Sequence, residues 1–436
     1  MSRWTMRGSR ALATAASLAV IAAACGRTGP SARLRTVWTP APAPIVFNDN
    51  GAWSWFEDER AAIDSDTDTL LVSSVANASG TDGRSRDGNV EVVSYDLATG
   101  VAERTVLHAG LEASRHAGDG TAWEPERTFE HGGDASYSNL YPAVDRSDRV
   151  LYALVRSVGR DPHLLVSRDE GSTWSAGGRL LDGPGRPYVR YAADPVGRLH
   201  FITTEQHPGS YPTSIYHGVI AGGRLLGSDC AVVDADLADN DAARADQLTK
   251  VFSGNAARRA RTVDLQVDGG GRPYAAFSAH FGTGDNRYYY ARFDGIAWRV
   301  HFMAYAGTAL YEAERFYTGL VALHPADPRR VFVSTDVHPG TGDPLISHRD
   351  HRQHHELFEG ITVDGGASWT WTAVTANSTA DNLRPIVPIW DADHTALLWL
   401  RGTYTTYHDY DLDVVGIITD HRPARPPPPD RSGRPS

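Results

Sequence analysis

Two histidines, His207 and His217, flank the segment Gly209-Ser-Tyr-Pro212, and imidazoles so placed could share a Zn²⁺. A structural ion, Zn²⁺ or Ca²⁺, is the only cofactor the sequence leaves room for, and the chemistry considered below requires none. His200 and Cys230 are further donors, but no spacing ties them to the pair. The plainer alternative, two histidines hydrogen-bonded within a loop, ranks ahead because no third ligand is evident. His338, His348, His351, His354 and His355 follow no ligand spacing and read as a solvated loop. The cluster Arg258-Arg259-Ala260-Arg261 reads as a solvated edge. Arg190, Arg384 and Arg401 fall near strand ends, where they could line a central pocket or tie neighbouring sheets together. Tyr188 and Tyr191 could stack on sugar rings, although most Trp and Tyr side chains read as core. No phosphate-cradling Gly loop, dinucleotide fingerprint or Ser-His-Asp order is visible.

The elements that must position these residues announce themselves twice. Ser167-Arg-Asp169-Glu-Gly171-Ser-Thr173-Trp174 is an Asp-box, and Thr362-Val-Asp364-Gly-Gly366-Ala-Ser368-Trp369 is a second. In such an octet the Asp carboxylate accepts hydrogen bonds from its own turn, as Asx turns do. The Gly takes a backbone angle closed to other residues, and the Trp covers the apolar face of the hairpin. Short strand signals recur between and beyond the two octets, separated by turn cues such as Asp268-Gly-Gly-Gly-Arg272 and Asp294-Gly295. The one helical candidate is Leu237–Leu248, a polar surface insertion. Blades of four strands at roughly 40–55 residues each give about seven over residues 45–420. The expected fold is therefore all-β, a single seven-bladed propeller over residues 46–421.

Composition agrees and excludes some partners. The chain has 436 residues, 41% hydrophobic and 22% charged, with a formal net charge of −11. That charge argues against nucleic acid, and it means an anionic substrate would need a local cationic pocket. Three arginines and no acid occupy residues 1–10, and an apolar run from Ala11 to Ala24 ends at Cys25. This order reads as a signal peptide over 1–25, with Ala23-Ala24-Cys25 resembling a lipobox in which Ala22 replaces the usual Leu. A membrane-spanning anchor is the weaker alternative, since the run is shorter than about 20 apolar residues. Residues 26–45 read as a tether and 422–436 as a Pro-rich disordered tail. The expected location is the cell surface or the exterior, with a lipid anchor at Cys25 as the only membrane contact.

From about Asp134 to Ile418 the sequence resembles the bacterial-neuraminidase-repeat family that includes ulvan lyases. The resemblance rests on Ser136-Tyr-Ser-Asn139, Gly183-Pro-Gly-Arg-Pro-Tyr188-Val-Arg-Tyr191, Arg198-Leu-His-Phe, Glu205-Gln-His207-Pro, Ser214-Ile-Tyr-His217, Tyr288-Tyr-Tyr-Ala-Arg292, Asp381-Asn-Leu-Arg384-Pro-Ile-Val-Pro and Trp399-Leu-Arg401-Gly-Thr-Tyr404. Trp53-Ser-Trp-Phe-Glu-Asp-Glu-Arg60 fits the family's opening. It implies a seven-bladed propeller whose central pocket cleaves uronate-bearing polysaccharide by β-elimination. The resemblance makes Tyr137 the acid, or acid and base, and Arg156 the group that neutralises the uronate. Arg115-His116 resembles a strand end carrying one of two catalytic histidines. The segment carrying the other is missing after Leu107-His-Ala-Gly-Leu111, so one blade is expected to be abbreviated, and His131 is the available substitute.

Three functions follow in order. The first is a monomeric lyase on acidic polysaccharide, with Tyr188, Arg190, Tyr191 and Arg384 binding substrate. The second is a non-catalytic propeller that binds a glycan or a partner. The third, a sialidase-like hydrolase, ranks last because its arginine triad and nucleophile pair cannot be assigned.

Overall fold

The computed structural model describes residues 43–421, apart from 59, 110–134, 146–147, 184, 240 and 283. The signal segment with Cys25, the tether up to residue 42, the Pro-rich tail, His116 and His131 lie outside the described residues.

Twenty-six strands pair antiparallel in six sheets among the described residues. Blade 1 holds Ala61–Asp64, Thr69–Val75, Asn89–Asp96 and Ala102–Ala109. Blade 2 holds Ser136–Asp145, Asp148–Arg156, Pro162–Ser167 and Ser175–Arg179. Blade 3 begins with Val189–Ala193, Leu199–Thr203 and Ile215–Ala221. Blade 4 holds Arg259–Val267, Pro273–Gly282, Asp285–Phe293 and Trp298–Gly307. Blade 5 holds Val321–Leu323, Arg330–Thr335, Glu356–Ile361 and Thr370–Ala373. Blade 6 holds Asp381–Ile386, His394–Thr406 and Asp409–Asp420, and Ile45–Asn48 completes it, with Ile45 opposite Gly416. An early strand thus completes the last sheet as its outermost strand. From blade 2 to blade 6 the first strands touch one another in succession, so they line the centre. Apolar clusters fill the spaces between blades, joining blades 2 and 3, blades 3 and 4, and blades 5 and 6.

Six blades are found among the described residues, where seven are expected from the sequence, and residues 110–134, between the first two blades, lie outside them. The repeat is longer than assumed, because first strands begin at Ala61, Ser136, Val189, Arg259, Val321 and Asp381. Blade 3 is the clearest cause: it adds Arg224–Leu226 and Val232–Asp234, and Thr249–Phe252 pairs back onto Ile215–Ala221. The site of the expected abbreviated blade falls within 110–134. The helix expected over Leu237–Leu248 is instead two 3₁₀ turns, Leu237–Asp239 and Ala245–Gln247. Asp236 and Asp239 accept the backbone N–H groups of Ala238 and Asp241 at 3.2 and 3.1 Å, and such local bonds compete with a helix.

Alternating strand direction sorts the connections onto two ends. Both Asp-boxes join third to fourth strands and so share one end. In each, the Asp accepts the backbone N–H and the hydroxyl of one residue: Thr173 at 2.8 and 2.6 Å for Asp169, Ser368 at 2.9 and 2.6 Å for Asp364. Gly171 and Gly366 take φ of 86° and 98°, the conformation the octet requires. The links between blades, and those from second to third strands, gather at the opposite end.

Candidate functional site

The segment from Trp53 to Asp58 crosses the centre at that opposite end and is wired to several blades. Trp55 Nε1 donates to the Thr318 carbonyl at 2.8 Å. Arg384, 0% exposed, donates to the carbonyls of Ser54 and Glu57 at 3.3 and 2.7 Å. Arg190, 1% exposed, pairs with Asp58 at 3.3 Å and donates to the Val263 carbonyl at 2.5 Å. These two arginines therefore tie the molecule together, the second of the two readings left open by the sequence. Their bonds to Asp58 and to backbone carbonyls, rather than their burial alone, set them apart from the substrate-binding role expected of them. Tyr191 is likewise core: its ring packs on Tyr141 and Phe201 at 6.2 Å each, and its carbonyl accepts the Tyr141 hydroxyl at 3.0 Å.

Tyr137 and Arg156 are brought together. They lie at the open end of the first hairpin of blade 2, where Ser136 faces Arg156 and the pairing then skips to Asn139. Within that bulge Tyr137 takes a left-handed φ of 55°, uncommon for a bulky residue. The Arg156 guanidinium lies over the Tyr137 ring at 4.1 Å and over the Tyr188 ring at 5.7 Å, and its Nε donates to Ser136 Oγ at 3.0 Å. Among the described residues, no group hydrogen-bonds its buried Nη1. Burial, and then Tyr188, push the Tyr137 phenol above its ordinary range and keep it protonated.

His207 joins this group, with its ring 5.5 Å from that of Tyr188. Its Nδ1 accepts the Gly209 N–H at 3.0 Å, so the neutral imidazole carries its proton on Nε2. Burial, then Arg261 and Arg156, lower its pKa to about 4. Arg261, read from sequence as part of a solvated edge, is instead 1% exposed and enclosed by Phe56, Tyr188, Tyr317 and Phe316. Its signal was a charge entering an otherwise buried first strand. Beyond it, Tyr311 and Tyr404 pack 5.9 Å apart with buried hydroxyls that no group among the described residues hydrogen-bonds. A cavity of about 540 Å³ opens beside these groups, lined by His207, Arg259, His280, Glu314, Arg315 and Phe316 among others.

His217 has other neighbours than His207. Its Nδ1 meets Ser228 Oγ at 2.8 Å and its Nε2 meets His200 Nδ1 at 3.2 Å, within blade 3. Ser228 also accepts Trp298 Nε1–H at 2.9 Å, and Asp194 lies 3.6 Å from His200. Both nitrogens of His217 are thus engaged, as the hydrogen-bonded alternative required, though with His200 in place of His207. Cys230 lines the same small cavity as His200 and His217. Among the described residues, the carboxylates that could hold an ion together are Asp234, Asp239 and Asp241, whose oxygens lie within 4.8 Å of one another. His354 and His355, expected in a solvated loop, are buried against Asp350 at 2.7 Å and Asp381 at 3.6 Å.

Six blades among the described residues, around a centre that holds Tyr137, Arg156, Tyr188 and Arg261, define a β-propeller. Its fold is similar to that of an ulvan lyase of polysaccharide lyase family PL25, solved with -[GlcA(1-4)Rha3S]- bound. That likeness has a TM-score of 0.56 and 13% identity, and covers 86% of this chain and 96% of that one. The NanB sialidase of Streptococcus pneumoniae also matches, with a TM-score of 0.44 and 12% identity over 86% of this chain and 70% of that one. So does the α-L-arabinofuranosidase Arb93A of Fusarium graminearum, at 0.42 and 11% over 86% and 98%. No protein-family model and no curated protein matches the chain.

Proposed function

We propose that this protein binds acidic, uronate-bearing polysaccharide in its central pocket and cleaves it by β-elimination. The observation that carries the reading is the stack of Arg156 on Tyr137 at 4.1 Å. Elimination breaks the C–H bond beside the carboxylate and the glycosidic C–O bond, forms a C=C bond, and delivers a proton to the departing oxygen. Arg156 neutralises the carboxylate so that charge can build on the neighbouring carbon. Tyr137, held protonated by burial, donates to the leaving oxygen. The base is assigned to His116 or His131. The similar lyase was solved with a glucuronate-containing glycan, which supports the choice of substrate class.

The test is incubation with a panel of uronic polysaccharides while ultraviolet absorbance of the unsaturated product is followed. A rise with wild type that is lost in Tyr137→Phe and Arg156→Ala supports the reading; no rise with any member of the panel defeats it. One observation favours a second reading, binding without cleavage: the Gly209 N–H occupies the acceptor nitrogen of His207. Saturable binding without absorbance change would select it. Export with lipidation at Cys25 belongs to the same proposal, motivated by the charged, apolar, small-residue order of 1–25. Accumulation of an unprocessed precursor under a signal-peptidase inhibitor is the expected result; full-length protein in the cytoplasm without inhibitor would oppose it.

A further inference from the structure

Arg261 stands apart from every other central arginine. Nε, Nη1 and Nη2 are all buried, and among the described residues no group hydrogen-bonds any of them. Its guanidinium carbon lies 3.7 Å from the Phe56 ring centroid and 4.2 Å from that of Tyr188, with Tyr317 at 5.5 Å and Phe316 at 5.9 Å. Aromatic faces attract a cation but offset only part of what it loses on leaving water. Buried cations are normally paired, and this one is not. A second cation stands near it, since Arg156 lies over the same Tyr188 ring at 5.7 Å. The two therefore repel across a desolvated space, and a shared anionic ligand would relieve both. The cover also has a distinct origin. Phe316 and Tyr317 belong to the connection between Trp298–Gly307 and Val321–Leu323, which contains no strand and lines the adjoining cavity.

We propose that Arg261 is a second oxyanion-binding guanidinium of the central pocket, sheathed here by Phe316 and Tyr317 and reached when their connection shifts. The inference rests on the acidic-polysaccharide reading and adds to it: the ligand class is an oligosaccharide whose carboxylate or sulfate oxygens meet two arginines, one open and one covered. Arg261 is also felt by the surrounding groups, since its charge depresses His207 and opposes the upward shift of Tyr137.

Calorimetric titration of the mature protein with a glucuronate-rhamnose-3-sulfate tetrasaccharide tests this, using wild type, Arg156→Ala, Arg261→Met and Arg261→Lys. Arg261→Met should bind about tenfold or more weakly, with Arg261→Lys between it and wild type. The ligand-free melting temperature of Arg261→Met should stay within about 2 °C of wild type or rise, because no hydrogen bond is lost. A folded Arg261→Met variant with wild-type affinity overturns the inference, as does a lower melting temperature with affinity intact, the mark of a structural post. Should Arg261→Met fail to fold, Phe316→Ala decides: faster association supports a movable cover, and unchanged association overturns it. Binding lost in Arg156→Ala but kept in Arg261→Met removes this inference alone. No binding by wild type removes the acidic-polysaccharide reading as well.

Discussion

At the Asp-box end of the propeller, Asp169 and Asp364 spend their oxygens within their own turns, on Thr173 and on Ser368. At the central end, Arg156 and Arg261 have buried nitrogens that no group among the described residues hydrogen-bonds, and the hydroxyls of Tyr311 and Tyr404 share that condition. One end is closed on itself and the other is chemically unfinished. Buried polar groups are nearly always satisfied in folded proteins, so a concentration of exceptions needs an explanation, and ligand binding supplies one. Arginines alone make the same contrast. Arg384 is as deeply buried as Arg261, yet its Nε and Nη2 donate to backbone carbonyls, whereas no nitrogen of Arg261 has such a bond among the described residues.

Several substitutions would break or sharpen that contrast. The largest effect is expected from Arg156→Ala, which should weaken uronate binding about 100-fold or more, the loss of a charge-assisted pair, while leaving the melting temperature unchanged. A large fall in melting temperature would move Arg156 to the structural side. Arg384→Met should do the reverse: it strands the carbonyls of Ser54 and Glu57 and should cost about 3 kcal/mol in denaturant unfolding. A neutral result there would erase the distinction between tie and site.

The Asp-box end should respond to acid. Hydrogen bonds to their turns lower Asp169 and Asp364 to about 2. A lowered carboxyl stabilises the fold above its unfolded pKa near about 3.9, and that contribution is lost as pH falls towards 2. Asp364→Asn should therefore flatten the acid limb of a melting-temperature profile without changing ligand affinity. An unaltered acid limb would contradict the turn's role. The smallest effect concerns His207, lowered to about 4 by burial and by Arg261 and Arg156. A depressed histidine binds more protons unfolded than folded, so its contribution falls as pH drops from about 6.5 through 4. Nitrogen NMR of the imidazole should show a neutral ring, protonated on Nε2, down to about pH 5; a midpoint near 6.5 would show that neither burial nor the two guanidiniums act on it.

Strand-scale features were legible in the sequence because they depend on local chemistry. The Asp-box octets contain every donor and acceptor of their turns, and the resemblance of Ser136-Tyr-Ser-Asn139 and of the Arg156 strand to lyase strings pointed to a pair that one hairpin does join. What escaped depends on contacts between distant blades. Arg258-Arg259-Ala260-Arg261 looked like a solvated edge because nothing nearby in sequence announces Phe56, Tyr188 or Phe316 as its cover. Arg190 and Arg384 could not be sorted into pocket or tie without the path of Trp53–Asp58 across the centre. His207 and His217 seemed a pair by spacing, but antiparallel pairing sets Ile202 opposite His217 and carries His207 past the strand end towards Tyr188. The insertion in blade 3 lengthens the spacing there in a way that no period anticipates.

The most direct measurement titrates the mature protein with the glucuronate-rhamnose-3-sulfate tetrasaccharide, recording heat and ultraviolet absorbance together for wild type and for Arg156→Ala. Saturable heat with rising absorbance in wild type, both absent in Arg156→Ala, is the expected result. Neither signal in wild type, or undiminished heat in Arg156→Ala, would contradict the assignment of the central pocket to an acidic glycan.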